Sequence, residues 1–184
     1  MPMADRTDHG IDDTRSTRHL DPADDLARLG EAIDESVVAN EYLPNSAAFL
    51  AICVSNLPEV KKMFGDRAVK MLITEIEKRL KKVLRGSDVI GRLNEDQFGI
   101  VLSRCEPENI LTAARRFLAA AAKGPVIIGD SAVEVMLSTA SVAFPDEGLI
   151  SSDDVIARAE TRLLDETRNR TPTLARFNDG NLLG

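Results

Sequence analysis

The sequence has no tryptophan and a single tyrosine, and aromatic residues make up only 4% of it. With hydrophobic residues at 43% and so few aromatic ones, the core is expected to be built from Leu, Ile, Val, Ala and Met. A chain of 184 residues with this content can bury one good core, which predicts one domain with tails rather than two domains. A core of this kind favours a mixed helix and sheet protein.

Cysteine and histidine are equally scarce. Cys53 and Cys105 lie in apolar surroundings without a CxxC or Cys/His spacing, which predicts two buried thiols rather than metal ligands. His9 and His19 lie in or beside a polar N-terminal stretch, again without the spacing of metal ligands. We therefore expect no metal and no other cofactor, and the reduced thiols indicate a cytoplasmic location.

Long apolar runs and an excess of positive charge are also missing. No run approaches the roughly 18 apolar residues of a membrane span, and the first ten residues contain no stretch that could act as a secretory signal. The chain has 23 Lys and Arg against 30 Asp and Glu, a net charge of -7. This balance argues against nucleic acid and membrane surfaces as partners, because both are polyanionic.

The apolar residues that are present are not spread evenly along the chain. Residues 1–20 contain almost none, so burial cannot compensate the entropy of ordering them, and we expect a flexible tail there. The apolar patterns that follow predict a folded domain over residues 21–178. Residues 179–184 are then a short C-terminal tail.

Apolar periodicity predicts the elements of this domain. Four helices are predicted. The first begins near Asp24, after Asp21-Pro22 as its N-cap and first position, and the second covers 69–84 and ends near Gly86. The other two cover 107–122 and 152–167. The predicted strands cover 48–54, 88–92, 97–102, 126–128, 132–143 and a short stretch near 174–177. The fold class is therefore α/β (α+β), with a central, mostly antiparallel sheet of about five strands flanked by helices.

The segment RGSDVIGRLNEDQFGIVL, residues 85–102, resembles the signature of the GGDEF family. In that family an Arg precedes a hairpin tip reading Gly-Gly-Asp/Glu-Glu-Phe, and an apolar strand follows. Phe64-Gly65-Asp66, at the mouth of the long helix, resembles the family's Tyr-Gly-His, and Ala159-Glu160 resembles its Ala-Asp. The predicted element order also agrees from about Asp21 to Phe177. The resemblance implies a GGDEF or nucleotide-cyclase-like fold, that of the diguanylate cyclases.

The resemblance implies a two-metal reaction, in which carboxylates hold magnesium on GTP and two glycines let the backbone approach the nucleotide. The family's first metal-binding Asp falls on Cys53 or a direct neighbour, none of them acidic, and a neutral thiol cannot replace a hard oxygen ligand. Asn94 and Glu95 replace the glycines and would crowd or repel phosphates. Asp96 keeps a carboxylate, whereas Gln97 brings no charge.

Other positions implied by the resemblance are altered as well. The guanine-reading Asn and Asp fall on Lys61 and Lys70, which cannot accept hydrogen bonds from guanine, and the phosphate-contacting Lys falls on Thr167. We therefore expect no catalytic residue and a vestigial active-site loop at Asn94, Glu95, Asp96 and Gln97. That loop is either an exposed polar turn without a task or a contact for a partner. Arg92 is expected to pair with a nearby carboxylate.

Arg85-Gly86-Ser87-Asp88 matches the Arg-x-x-Asp of the family's inhibitory site, at that site's spacing from the hairpin tip. There the Arg grips a phosphate and a guanine edge of cyclic di-GMP, and the Asp accepts from guanine N–H groups. Basic residues outnumber acidic ones between Lys61 and Arg85, which favours an anionic ligand. The alternative is that Asp88 only begins the hairpin and the lysines cover a solvated helix face.

Three functions follow from these observations. The first is a catalytically inactive signalling module that binds cyclic di-GMP through Arg85 and Asp88, or a regulatory protein partner or second copy of itself. The second is a nucleotide-independent interaction scaffold that docks through the long helix or the hairpin tip. The third is a cyclase with altered chemistry, which is disfavoured because Asp96 would be its sole metal ligand.

Overall fold

The computed structural model describes residues 22–40, 42–146 and 151–169. Both predicted tails, both histidines and the strand predicted near 174–177 lie outside these residues. The described elements are α1 (Pro22–Ala39), β1 (Ala47–Val54), α2 (Leu57–Lys81), β2 (Asp88–Arg92), β3 (Gln97–Leu102), α3 (Pro107–Ala121), β4 (Val126–Ile128), β5 (Ser131–Val133), β6 (Leu137–Phe144) and α4 (Ser152–Asn169).

The main sheet has four strands in the order β2-β3-β1-β6, and every pairing in it is antiparallel. All eight residues of β1 are buried, as its unbroken apolar run predicts for a strand covered on both faces. The antiparallel sheet flanked by helices is thus confirmed. The predicted number of about five strands is not, because the described residues form a four-stranded sheet and a separate pair, β4-β5.

The second pair exists because the strand predicted over 132–143 is broken in two. The Asn56 side chain binds the backbone at the break. Its amide donates to the Glu134 carbonyl at 2.8 Å and accepts from the Met136 N–H at 3.1 Å. The Ser55 N–H donates to the Met136 carbonyl at 2.8 Å. These bonds satisfy the backbone N–H and C=O groups between β5 and β6, where neither strand can pair. β5 then pairs with β4, and β6 pairs with β1.

The helices cover the main sheet from both sides. Leu72 and Ile76 of α2 and Phe117 of α3 pack on the face to which the even-numbered residues of β1 point. Leu29 of α1 and Val155 of α4 pack on the odd-numbered face. Two cores therefore share one strand, which explains why β1 is apolar at every position. In the described part of the chain, no helix has the length and apolarity to cross a membrane.

Helix α2 differs from its predicted range of 69–84. It begins at Leu57 and ends at Lys81, and it is kinked at Gly65, where φ is 77° and ψ is -179°. Phe64-Gly65-Asp66 lies at this kink, where a short helical part ends and the long helical part begins. Only glycine adopts such a backbone conformation at little cost, which explains how the chain can change direction there.

Candidate functional site

The hairpin of β2 and β3 places its tip at the end of β1. The Val54 N–H donates to the Asp96 carbonyl at 2.8 Å, and the Asp96 N–H donates to Asn94 Oδ1 at 3.1 Å. The Arg92 guanidinium donates to the Glu95 carbonyl at 2.8 Å and reaches the Asn94 carbonyl at 3.4 Å. The predicted pairing of this guanidinium with a carboxylate is wrong, because it holds the tip backbone instead.

A carboxylate does lie near Arg92, but it contacts the backbone. Asp25 of α1 is buried, and its Oδ2 accepts from the Arg92 N–H at 2.9 Å. Its Oδ1 accepts from Arg28 at 2.8 Å, and Arg28 also donates to the Ile90 carbonyl. This network joins α1 to the strand that carries the tip.

Cys53 and Asp96 lie side by side at this end of the sheet. Cys53 faces Gln97 across the β1–β3 pairing, and its Sγ donates to Asp96 Oδ2 at 3.6 Å. Burial, followed by the charge and hydrogen bond of Asp96, raises the pKa of the Cys53 thiol to about 12. The thiol is therefore neutral at neutral pH. Among the described residues, no three His, Cys, Asp or Glu side chains are grouped to hold a metal ion.

Hydroxyl groups line the cleft beside this pair, whose volume is about 330 Å³. The Ser55 and Ser138 hydroxyl oxygens are 2.8 Å apart. Thr167 Oγ1 donates within its own helix, lying 2.9 Å from both the Leu163 and the Leu164 carbonyl. The position predicted for a phosphate-contacting lysine thus lies at the cleft but supplies no cation.

Lys61 lines a second cleft of about 370 Å³ on the other side of the tip, together with Asn94, Glu95 and Asp96. Its Nζ lies 3.0 Å from Asp66 Oδ1. The hydrogen bond and charge of Asp66, followed by the charge of Glu95, raise the pKa of Lys61. Lys61 is therefore brought to the tip. Lys70 is not, since it lines a different groove on α2.

Arg85 and Asp88 form a closed turn before β2. The Arg85 N–H donates to Asp88 Oδ2 at 2.8 Å, and the Asp88 N–H donates to the Arg85 carbonyl at 3.0 Å. The Asp88 side chain is only 5% exposed. The carboxylate thus stabilises the turn and is held in one position, with the Arg85 side chain beside it.

Two further arginines that the sequence interpretation did not single out lie on the same cleft, which measures about 210 Å³. Arg116 of α3 places Nη2 3.6 Å from Asp88 Oδ2, and its guanidinium stacks 4.9 Å from the centre of the Phe117 ring. Arg104 lines the cleft from the segment after β3. Cys105 lies at the same cleft, and burial raises the pKa of its thiol.

A sequence signal existed for one of these arginines. Asp88 pairs with Leu102 across the hairpin, so a residue just beyond Leu102, such as Arg104, must lie near Asp88. Arg116 carried no comparable signal, because its position depends on how α3 packs against the sheet. The cleft as a whole combines three guanidinium groups with one carboxylate.

The antiparallel sheet, the hairpin tip beside β1 and the helices on both faces define a known class of domain. A family model described as "Diguanylate cyclase, GGDEF domain" matches residues 27–172. The chain therefore belongs to the GGDEF family.

Three similar proteins illustrate this membership. The probable diguanylate cyclase DgcC of Escherichia coli (strain K12) is 31% identical over 87 residues, which are 45% of this chain and 24% of DgcC. A sensory box/GGDEF family protein from Caulobacter crescentus CB15 has a TM-score of 0.71 at 18% identity, covering 78% of this chain and 92% of that one. The GGDEF domain of DgcB from Caulobacter crescentus, in complex with c-di-GMP, has a TM-score of 0.67 at 12% identity, covering 77% and 81%. The two structures share the fold, and the match to DgcC spans less than a third of its length.

Proposed function

We propose that this GGDEF domain is a non-catalytic receptor that binds cyclic di-GMP at the cleft of Arg85, Asp88, Arg104 and Arg116. The observation that carries the proposal is the convergence of three guanidinium groups and one positioned carboxylate on a single cleft. The DgcB relative, whose structure contains c-di-GMP, supports this choice of ligand for the fold.

The chemistry of the cleft matches the two parts of a cyclic dinucleotide. A guanidinium group binds phosphate oxygens with two parallel charge-assisted hydrogen bonds, and it can also stack on a base. The carboxylate of Asp88 makes its contacts with the described residues through Oδ2, which leaves Oδ1 to accept from guanine N–H groups. Arg116, held against Phe117, needs little rearrangement to meet the ligand.

The size of the cleft determines how much of the ligand it can enclose. Ligand pockets usually measure about 300 to 1,000 Å³, and this cleft measures about 210 Å³. One guanine and its adjacent phosphate would therefore lie in the cleft, and the other half of the dinucleotide would lie outside it. A second molecule of ligand or a partner protein can cover that exposed half.

The residues at the hairpin tip, at the other end of the sheet, support the absence of cyclase activity. The cyclase reaction needs two magnesium ions held by oxygen ligands, but the metal-site position holds a neutral thiol and a single carboxylate. These residues do not fit the metal ions, and the side chains of Asn94 and Glu95 occupy positions where the family has glycine. The domain would then read cyclic di-GMP without making it.

The receptor proposal is tested by titrating cyclic di-GMP into the chain by isothermal titration calorimetry. We expect saturable binding, weakened about tenfold or more in Arg85→Ala and in Arg116→Ala, because each loses a charge-assisted contact. Arg115→Ala is the matched control, since Arg115 is exposed on the same helix and does not line the cleft. Absence of binding, or equal weakening in the control, would refute the proposal.

The loss of catalysis is tested separately. The chain is incubated with GTP and Mg²⁺, and the products are separated by chromatography. We expect unchanged GTP. Formation of any cyclic dinucleotide would refute this part of the proposal and would leave the binding result standing.

A further inference from the structure

A fourth cavity, a groove of about 640 Å³, lies between α2 and the short strand β4, away from the hairpin tip and from the Arg85 cleft. We call it the α2–β4 groove and define it by Arg67, Lys70, Met71, Lys78, Arg79 and Ile127. The α2 residues among these are spaced at three, four and seven or eight positions, so they form one face of the helix.

Four of the five charged side chains that line the groove are positive, and three of these four form no ion pair with the described residues. Arg67, Lys70 and Lys78 form no ion pair with the described residues. The carboxylate of Glu75, which also lines the groove, is 3.0 Å from Arg79 Nε. Three cations therefore face solvent together in a chain whose net charge is -7.

The floor of the same groove is apolar. The Met71 side chain is 42% exposed and Ile127 is 62% exposed. Val126 and Ile128 point into the core, so the alternation of the strand turns Ile127 outward. Large apolar side chains inside a polar rim are typical of surfaces that bind another protein.

We propose that the α2–β4 groove binds an acidic amphipathic segment of a partner protein, in a helix of two to three turns. Lys70 and Lys78 are eight residues apart on one helix, which separates them by about 12 Å. A partner helix with Asp or Glu about seven or eight residues apart meets both cations, and its apolar face then contacts Met71 and Ile127. This inference goes beyond nucleotide binding and stands whether or not Arg85 binds cyclic di-GMP.

Two features favour a peptide over a nucleic acid as the occupant. A phosphate backbone has no aliphatic face to cover Met71 and Ile127. Single-stranded nucleic acids also stack their bases on aromatic side chains, and no aromatic residue lines this groove in the described part of the chain.

The test uses a fluorescein-labelled helical peptide of about 15 residues, with leucines on one face and glutamates on its flanks. Its anisotropy is followed as the full chain is added. We expect saturable, salt-sensitive binding that weakens about tenfold in Lys70→Glu/Lys78→Glu. Ile127→Ser should weaken it as well, because the apolar contact is lost.

Lys62→Glu is the matched control for Lys70→Glu alone, because it makes the same charge change at an exposed position of α2 outside the groove. Thermal unfolding of each variant checks that the fold is kept. The proposal is overturned if the peptide does not saturate, if a scrambled peptide of the same composition binds equally, or if Lys62→Glu weakens binding as much as Lys70→Glu. It is also overturned if a single-stranded oligonucleotide binds more tightly than the peptide. Arg85→Ala should bind the peptide like the unmodified chain, which separates this result from the receptor test.

Discussion

The sulfur atom of Cys53 determines the charge next to Asp96 at the hairpin tip. Cys53 Sγ lies 3.6 Å from Asp96 Oδ2, and the resemblance to the cyclases implies a metal-binding Asp at Cys53 or a direct neighbour. A second carboxylate there would repel Asp96 unless a cation lay between them. A neutral thiol avoids that repulsion and donates a hydrogen bond instead. The pair is therefore stable without any ion.

The protonation of Cys53 predicts a pH dependence of stability. Burial and the neighbouring Asp96 raise its pKa to about 12 in the folded chain, whereas the unfolded thiol ionises near pH 8.5. The unfolded state therefore loses its proton first, and the free energy of unfolding falls as the pH rises between about 9 and 12. Below that range the thiol contributes no pH dependence.

Urea unfolding of the unmodified chain and of Cys53→Ala at several pH values checks this. The difference in unfolding free energy between the two should be constant near pH 7 and should shift against the unmodified chain above about pH 9. A difference that stays constant up to pH 11 would contradict the assigned pKa.

The sequence predicted the roles of some residues in the candidate sites but not of others. The resemblance pointed to Cys53 or a direct neighbour as the position of the family's metal-binding Asp, and the structure places Cys53 against Asp96. Arg116 was missed, because nothing in the spacing of α3 shows that it faces Asp88. The role of Arg92 was also misjudged, because tip carbonyls compete with carboxylates for a guanidinium and no sequence pattern marks which is nearer.

At the scale of elements, α2 connects several features of the protein. Its first turns carry Lys61 towards the tip, and its later turns carry Lys70 and Lys78 along the groove. Gly65 separates the two parts, since its φ of 77° interrupts the regular helix. The kink therefore decides which side chains face the tip and which face the groove.

Gly65→Ala should destabilise the chain by about 1 to 3 kcal/mol, because an alanine is strained at this φ. Outside the neighbouring residues and backbone of α2 itself, no atom lies within 4 Å of the added methyl group, so a clash with the rest of the fold does not contribute. Gly86→Ala is the control: that site is equally open, and its φ lies outside the positive range that strains an L-residue. Urea denaturation measures both. Equal stability of the two variants would show that the kink is not strained by a side chain.

The sequence also predicted most elements, and its errors share a cause. The strand over 132–143 and the helix over 69–84 were both drawn from apolar periodicity. Asn56 breaks the first by hydrogen bonding to Glu134 and Met136, which are distant in sequence. Glycine at position 65 permits a bend that apolar spacing does not reveal.

At the scale of the whole molecule, the two ends of the sheet have different chemistry. The tip end holds Cys53, Asp96 and Glu95, with Lys61 beside them and the Arg92 guanidinium bonded to the tip carbonyls. The opposite end of the hairpin holds Arg85, Arg104 and Arg116 around Asp88. A receptor that binds at one end without reacting at the other is consistent with this division.

Ligand binding to the folded state alone predicts a thermal shift. At about 100 times its dissociation constant, cyclic di-GMP should stabilise the chain by about 2.7 kcal/mol, which raises the Tm by several degrees for a domain of this size. Differential scanning fluorimetry should show the shift for the unmodified chain and a shift of about half that size or less in Arg116→Ala, because a tenfold weaker affinity at the same ligand concentration leaves only about 1.4 kcal/mol. GTP with Mg²⁺ should give no comparable shift. A larger shift with GTP would favour a retained nucleotide site at the tip.

The sequence by itself determined the α+β class, the buried β1, the hairpin of β2 and β3 and the family resemblance, because these depend on local periodicity and contiguous motifs. Only the tertiary structure decided that Arg104 and Arg116 join Arg85, that Arg92 holds the tip, and that Lys70 belongs to a groove rather than to the tip. Those facts depend on how helices pack on a sheet. Packing brings together residues far apart in sequence, so spacing along the chain cannot reveal them.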